Sequence, residues 1–210
     1  RTRIIVDRLS FIHFCPTNLN RYRLLKEGIR NNIFITGNTL VDNIDYIKDH
    51  LFDINKHGIL FTFHRKENIE SPLVLRNVFK NLKEFAKKYK VNHILFPIHP
   101  NTKKHLELYC MDNYIKYIEI TQPISYFYLL SAIKSSKYVI TDSGGIQEEC
   151  AILGIPCIVL RKTTDRPELC KIGASFLIDP ESGKWKKIKF AKKWIHPYGE
   201  NVAKKTIDIL

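Results

Sequence analysis

Tyr138-Val-Ile-Thr-Asp-Ser-Gly-Gly-Ile-Gln-Glu-Glu-Cys-Ala-Ile-Leu-Gly154 is the stretch that decides how this chain folds. An apolar run from Tyr138 to Thr141 stops at Asp142, one serine and two glycines follow, and a helix-like pattern begins at once. That is a strand handing over to a helix, the unit from which α/β folds are built. Ser143, Gly144 and Gly145 are expected to leave backbone N–H groups free at the helix N-terminus. There the macrodipole favours an anion, and the absent side chains let a diphosphate come close. A tight strand-to-helix turn with no ligand is the competing reading, and the motif by itself does not choose between them.

Working outward, apolar β-rich runs alternate with helical patterns along the whole chain, which predicts a Rossmann-like parallel sheet flanked by helices on both faces. Strands are expected at Phe11–Cys15, Ile33–Thr36, Ile59–Phe63, His93–Pro97, Tyr117–Ile120, Tyr138–Thr141 and Cys157–Leu160. Helices are expected at Asn18–Glu27 with Gly28 as the stop, Thr39–Leu51, Ser71–Tyr89, Ile124–Ser135 and Gly145–Leu153. Ser71 followed by Pro72 has the form of an N-cap and a first helical position.

Four of these strands end in polar clusters. Ile59–Phe63 runs into His64-Arg-Lys-Glu-Asn68, His93–Pro97 into Ile98-His-Pro-Asn101, Tyr138–Thr141 into the glycine turn, and Cys157–Leu160 into Arg161-Lys-Thr-Thr-Asp-Arg-Pro-Glu168. The carboxyl edge of an open α/β sheet is where ligands bind, so clusters far apart in sequence are expected to converge in one crevice.

Each cluster also has a plainer reading. His64 and Arg65 can place two donors on an anion, or form a surface loop closed by a salt bridge to Glu67; a His-Arg-Lys run directly after a buried strand favours function. His99 is either a ligand contact or a satisfied core histidine. Glu148 and Glu149 suit the first turns of a helix on dipole grounds alone, and one of them can instead accept from ribose hydroxyls. Arg166 can pair with phosphate in forked geometry, or with Asp165 or Glu168.

Composition narrows the rest. A chain of 210 residues with 44% apolar content has material for a sizeable core. No apolar stretch approaches the ~18 residues that span a bilayer, so no membrane partner is expected. The opening Arg-Thr-Arg has neither Met nor a signal-peptide core and reads as a cut. Five cysteines without CxxC spacing argue against a disulfide framework and a zinc site and fit a reducing, cytoplasmic setting. No HExxH, Cys/His cluster or GxSxG elbow is present, which argues against metal or serine-nucleophile chemistry.

The net charge of +13 points to anionic partners, and much of it lies in Lys184-Trp-Lys-Lys-Ile-Lys-Phe-Ala-Lys-Lys193. Trp185, Ile188 and Trp194 there are spaced as a helical apolar stripe, predicting a basic amphipathic helix packed on the body of the protein. With no RNA-binding aromatic signature, zinc finger or low-complexity tail, a solvated lysine face is preferred to a nucleic-acid surface.

Six motifs in order resemble one family. Gly37-Asn-Thr-Leu-Val-Asp42, Phe63-His-Arg-Lys-Glu-Asn68, Pro97-Ile-His-Pro-Asn101, Thr141-Asp-Ser-Gly-Gly-Ile-Gln-Glu-Glu149, Thr163-Thr-Asp-Arg-Pro-Glu168 and His196-Pro-Tyr-Gly199 closely resemble the non-hydrolysing UDP-N-acetylglucosamine 2-epimerases. The resemblance implies a GT-B-like fold of two Rossmann-like domains with the active site in the cleft between them. Residues 1–37 would then end a first domain and residues 38–210 would form the UDP-binding second one. The implied reaction interconverts UDP-GlcNAc and UDP-ManNAc through elimination of UDP to a glycal and re-addition after proton exchange at C2, with no cofactor.

Carried over motif by motif, the resemblance makes His64 the catalytic group on this chain, in contact with substrate near the diphosphate. It has Ser143, Gly144 and Gly145 bind phosphate, Glu149 bind ribose and Arg166 contact the UDP moiety. Leu129 stands where the family commonly places a phenylalanine beside the uracil. Arg65 and His99 match residues that hold a second, regulatory UDP-GlcNAc in bacterial members. The carboxylates that handle the C2 proton belong to the first domain, so this chain alone is expected to be inactive, and a homodimer is expected of the full-length protein. The alternative function is a stand-alone UDP-sugar-binding or regulatory module.

Overall fold

The structure is a computed structural model describing residues 2–54, 56, 58–183, 185 and 188–210. The chain divides into two compact units, one of residues 1–49 with 195–210 and one of residues 50–194. The first unit opens with α1 (Thr2–Leu9), β1 (His13–Cys15), α2 (Asn18–Lys26), β2 (Ile33–Ile35) and α3 (Leu40–Ile47), the last running into a 3₁₀ turn at Lys48–His50. β1 and β2 pair in parallel, and Gly28 follows α2 with φ +89°, the left-handed conformation its position as a stop requires.

The second unit holds β3 (Ile59–Thr62), α4 (Lys66–Ile69), α5 (Pro72–Lys88), β4 (Ile94–Pro97), α6 (Pro100–Leu108) and α7 (Asp112–Ile115). It continues with β5 (Glu119–Thr121), α8 (Tyr126–Ser135), β6 (Tyr138–Thr141), α9 (Gly144–Leu153), β7 (Cys157–Leu160), α10 (Pro167–Lys171) and β8 (Ser175–Ile178). The closing helix α11 (Val202–Ile207) returns to the first unit, where Asp42 accepts from the Val202 and Ala203 N–H groups at 3.0 and 2.6 Å. Asp42 thereby satisfies orphan donors at the start of α11.

All six strands of the second unit are parallel, in the order β5-β4-β3-β6-β7-β8. The α/β expectation holds. The order reverses between β3 and β6, and that switch point is where an open sheet leaves a crevice at its carboxyl edge. β3 and β7 are buried at every position, as strands covered on both faces should be. On one face Phe61 packs against Phe96 and Phe79 with ring centres 4.7 and 5.8 Å apart. Ser71 caps α5 by accepting from the Val74 N–H at 3.3 Å, with Pro72 at the first helical position.

The basic segment departs from expectation. The described residues 185 and 188–194 carry no helix, while Lys184, Lys186 and Lys187 lie outside the described residues. Trp185, Ile188 and Phe190 do pack on the core, but from irregular backbone. The Trp185 N–H donates to Asn81 Oδ1 at 3.1 Å and the Trp194 indole N–H to the Ala151 carbonyl at 2.9 Å. The Trp185 N–H thus finds in a side chain the acceptor that a helix would supply from its own backbone, while the Trp194 indole fastens the segment to α9. Among the described residues, no helix is long and apolar enough to cross a membrane, and no group of three His, Cys, Asp or Glu is placed to hold a metal ion.

Candidate functional site

The carboxyl ends of β3 and β6 are locked side by side. Thr62 and Thr141 are register partners, and their hydroxyls meet at 2.6 Å. The chain leaves β6 through Asp142, whose fully buried carboxylate turns back to the end of β3. Its Oδ2 accepts from the His64 and Arg65 N–H groups at 3.0 and 2.8 Å and from Asn68 Nδ2 at 3.2 Å, and its Oδ1 from the His64 N–H at 3.2 Å. Arg65 Nε in turn donates to the Asp142 carbonyl at 2.8 Å, while its Nη1 donates to Glu67 at 3.2 Å. The His64–Asn68 segment, which enters α4, and the glycine turn, separated by more than seventy residues, therefore form one hydrogen-bonded body.

Ser143 is the N-cap residue of α9, and its hydroxyl makes no capping bond. Its N–H, expected to be open, instead donates to Thr141 Oγ1 at 2.9 Å. Gly144 and Gly145 are the first two residues of α9, where backbone N–H groups have no acceptor within the helix. Neither glycine has a positive φ. A Cβ on Gly144 would meet only Arg161 Nη1, at 3.7 Å, and one on Gly145 only the Ser143 hydroxyl, at 3.9 Å. Glycine in a helix costs up to about 1 kcal/mol relative to alanine, and here neither backbone conformation nor crowding within the chain calls for it. What the missing side chains leave is open space over the first turn.

Cationic groups stand around that space. Arg161 begins the loop after β7; its side chain is 13% exposed and its two terminal nitrogens hold Asp165 at 3.2 and 3.3 Å. Arg166 extends from the same loop to Glu148 on α9, Nε to Oε1 at 2.6 Å, so its acid partner is neither Asp165 nor Glu168. Gln147 ties the loop down, accepting from the Thr164 hydroxyl at 2.7 Å and donating to the Arg166 carbonyl at 3.3 Å. With its acid partner fixed, each guanidinium is held in one orientation.

Glu149, one residue further along α9, is buried at 7% exposure. Burial pushes its carboxyl up to about 7, opposed by a hydrogen bond from the Tyr126 hydroxyl and reinforced by Glu148 nearby. Its Oε2 makes no hydrogen bond. Tyr126 is the first residue of α8, and Leu129, half-buried, lies one turn on along the same helix. On the other flank His99 caps α6, its Nδ1 accepting from the Asn101 N–H at 3.2 Å. The His64 and His99 rings are 6.2 Å apart, and Thr102 ties α6 to β3 through the Phe63 carbonyl at 2.7 Å.

Residues 1–207 match the model of a family described as UDP-N-acetylglucosamine 2-epimerase. The chain belongs to that family. It is 36% identical over 218 residues to the UDP-N-acetylglucosamine 2-epimerase of Methanocaldococcus jannaschii, covering 94% of this chain and 59% of that protein. To the enzyme of the same name from Methanococcus maripaludis it is 35% identical, covering 98% of this chain and 62% of the other. The chain thus spans about three fifths of the length of these curated relatives. Among solved structures, the M. jannaschii UDP-GlcNAc 2-epimerase in complex with UDP-GlcNAc and UDP matches with a TM-score of 0.80 at 32% identity, over 99% of this chain and 62% of that one. S. aureus MnaA with UDP matches with a TM-score of 0.71 at 31% identity, over 83% and 49%.

In this member of the 2-epimerase family, His64, Arg65, Ser143, Gly144, Gly145 and Arg166 meet around the ends of β3, β6 and β7. Glu149 and Leu129 lie behind them on α9 and α8, and His99 beside His64. Sequence reasoning gave no role to Asp142, Arg161 or Tyr126. Asp142 closes the quoted strand, and nothing local says that its carboxylate would point back across the sheet. Arg161 carried a faint signal as the first residue after a buried strand. Tyr126 had none beyond its helix.

Proposed function

We propose that this chain supplies the UDP-binding part of a non-hydrolysing UDP-N-acetylglucosamine 2-epimerase, which interconverts UDP-GlcNAc and UDP-ManNAc by eliminating UDP to a glycal and adding it back after proton exchange at C2. The observation that carries the reading is the Gly144–Gly145 pair, two glycines in a helix first turn that the fold itself does not require, at the switch point of the sheet. The solved relatives bearing UDP and UDP-GlcNAc support it.

In this reading the departing diphosphate lies over the first turn of α9. It receives the Gly144 and Gly145 N–H groups and the Ser143 hydroxyl, with Arg161 and Arg166 offsetting its charge. Pre-oriented donors of this kind stabilise charge as it develops on a leaving group. Glu149 accepts from the ribose hydroxyls, Leu129 lies beside the base, and His64 serves as the catalytic group of this chain near the diphosphate. Arg65 and His99 take the regulatory UDP-GlcNAc. Residues 1–37 close a first Rossmann-like domain and 38–210 form the second, in a cytoplasmic homodimer whose C2 proton chemistry lies outside this chain.

Titration calorimetry with UDP tests the proposal. Binding in the micromolar to millimolar range is expected, weakened at least tenfold in Arg166→Ala, and a folded sample that takes up no UDP refutes it. Epimerisation on mixing this chain with the amino-terminal part of a relative distinguishes half an enzyme from a stand-alone UDP-sugar-binding module.

A further inference from the structure

Asp142 does more than end a strand. Its carboxylate is fully buried yet gathers donors from the neighbouring segment and α4, three of them on Oδ2 alone: the His64 N–H, the Arg65 N–H and Asn68 Nδ2. The other oxygen, Oδ1, faces the His64 ring, with Nδ1 3.2 Å away. The backbone at His64 is pinned to the same carboxylate that its ring meets, so root and ring are positioned together. A carboxylate offers only acceptor lone pairs, and a neutral imidazole carries one N–H and one bare nitrogen. A bare Nδ1 against Oδ1 would set two acceptors against each other beside a fully buried carboxylate, whereas an Nδ1–H meets that carboxylate favourably.

We propose that Asp142 is the positioning residue for His64, holding the ring with its proton on Nδ1 and leaving Nε2 as the working nitrogen. This rests on the reading above that His64 contacts substrate near the diphosphate. Asp142 acts only through His64. The consequence lies in what the ring can do. Nε2 is an open acceptor while the ring is neutral. Once it takes a proton, Nε2–H is a donor to a phosphate oxygen. A buried acid orienting a half-exposed imidazole is a general way to fix tautomer and ring angle together. The side chain of His64 is 43% exposed, so its outer edge is open to ligand. Among the described residues, Arg65 follows His64 in the chain and the His99 ring lies 6.2 Å from it, and neither side chain is a carboxylate.

Long-range proton–nitrogen correlation spectra of the chain labelled with ¹⁵N-histidine, recorded at pH 8 and assigned by the peak lost in His64→Gln, read the tautomer directly. The expected result is Nδ1–H at His64 in the wild type, and loss of that preference in Asp142→Asn with UDP affinity down about tenfold. A wild-type ring protonated on Nε2 overturns the proposal. So does a folded Asp142→Asn with an unchanged tautomer, because a carboxylate that only shaped the turn could change UDP affinity but would leave the ring proton where it was; UDP affinity within twofold of wild type overturns the proposal as well. If Asp142→Asn does not fold, the wild-type tautomer alone decides. A wild type that binds no UDP refutes the UDP reading, and the tautomer still accepts or rejects the Asp142–His64 arrangement.

Discussion

Glu149→Gln is the substitution whose effect follows most directly from the structure. The Glu149 carboxyl is pushed from its ordinary 4.5 up to about 7, chiefly by burial. In the unfolded chain the group loses its proton near 4.5, whereas in the folded chain it keeps the proton until about 7. Below the lower value both states hold the proton and the group contributes nothing. Between the two values the unfolded state alone is ionised, so stability falls as pH rises, and above the upper value the full cost is present. A rise of that size corresponds to about 3 kcal/mol.

Glutamine has no such titration. Relative to wild type, the variant should therefore gain about 3 kcal/mol between pH 4 and pH 8, whatever constant difference the amide itself introduces. Urea unfolding of both proteins across that range reads the double difference. Parallel profiles, diverging by less than about 0.5 kcal/mol, would show that Glu149 is not held away from water in the way its 7% exposure implies. In the proposed ribose contact the same titration bears on ligand binding, since the ionised carboxylate accepts with both oxygens whereas the protonated group turns one of them into a donor. UDP affinity in the wild type is expected to rise through pH 7, and in Glu149→Gln to be weaker and to lack that rise.

Three further outcomes are expected. Gly144→Ala places its methyl 3.7 Å from Arg161 and nowhere else, so thermal unfolding should show a neutral to roughly 1 kcal/mol stabilising change while calorimetry shows UDP affinity falling at least tenfold. Gly37→Ala should be strongly destabilising, by about 3 kcal/mol or more, because Gly37 has φ +105° and its Cβ would lie 2.1 Å from the Tyr198 carbonyl oxygen. A melting temperature unchanged by that substitution would contradict the geometry. Asp42→Ala removes both acceptors for the Val202 and Ala203 N–H groups and should cost about 1–2 kcal/mol, seen as faster proteolytic loss of the carboxyl-terminal helix.

The sheet was legible in the sequence because buried parallel strands are written as short apolar runs, and Ile59–Thr62, Tyr138–Thr141 and Cys157–Leu160 fall where those runs do. Ser71–Pro72 and Gly28 marked a helix start and a helix stop through chemistry that acts within four residues. β8 was missed because Ser175-Phe-Leu-Ile is an edge strand with a polar first residue, and α6 because His99-Pro-Asn101 looks like a polar loop when the helix behind it buries only Thr102 and Leu106. The helix expected across residues 184–193 is absent from the described ones, 185 and 188–193, because apolar spacing gives a periodicity and says nothing of where backbone N–H groups find acceptors. In the site, the strand ends were visible, but partners were not. That Arg166 reaches Glu148, or that Asp142 reaches back to His64, depends on contacts closed only by the folded sheet.

The Asp142 carboxylate also constrains how this sequence can change. One buried group answers to His64, Arg65 and Asn68, and Asn68 in turn donates to the Leu160 carbonyl at the end of the next strand. Mutations in these three segments will therefore not be independent. A shortened loop after β3 would be neutral only in a background where position 142 has already changed, and the reverse. In a deep mutational scan the segments should appear as one epistatic block, with tolerated variants arising in pairs.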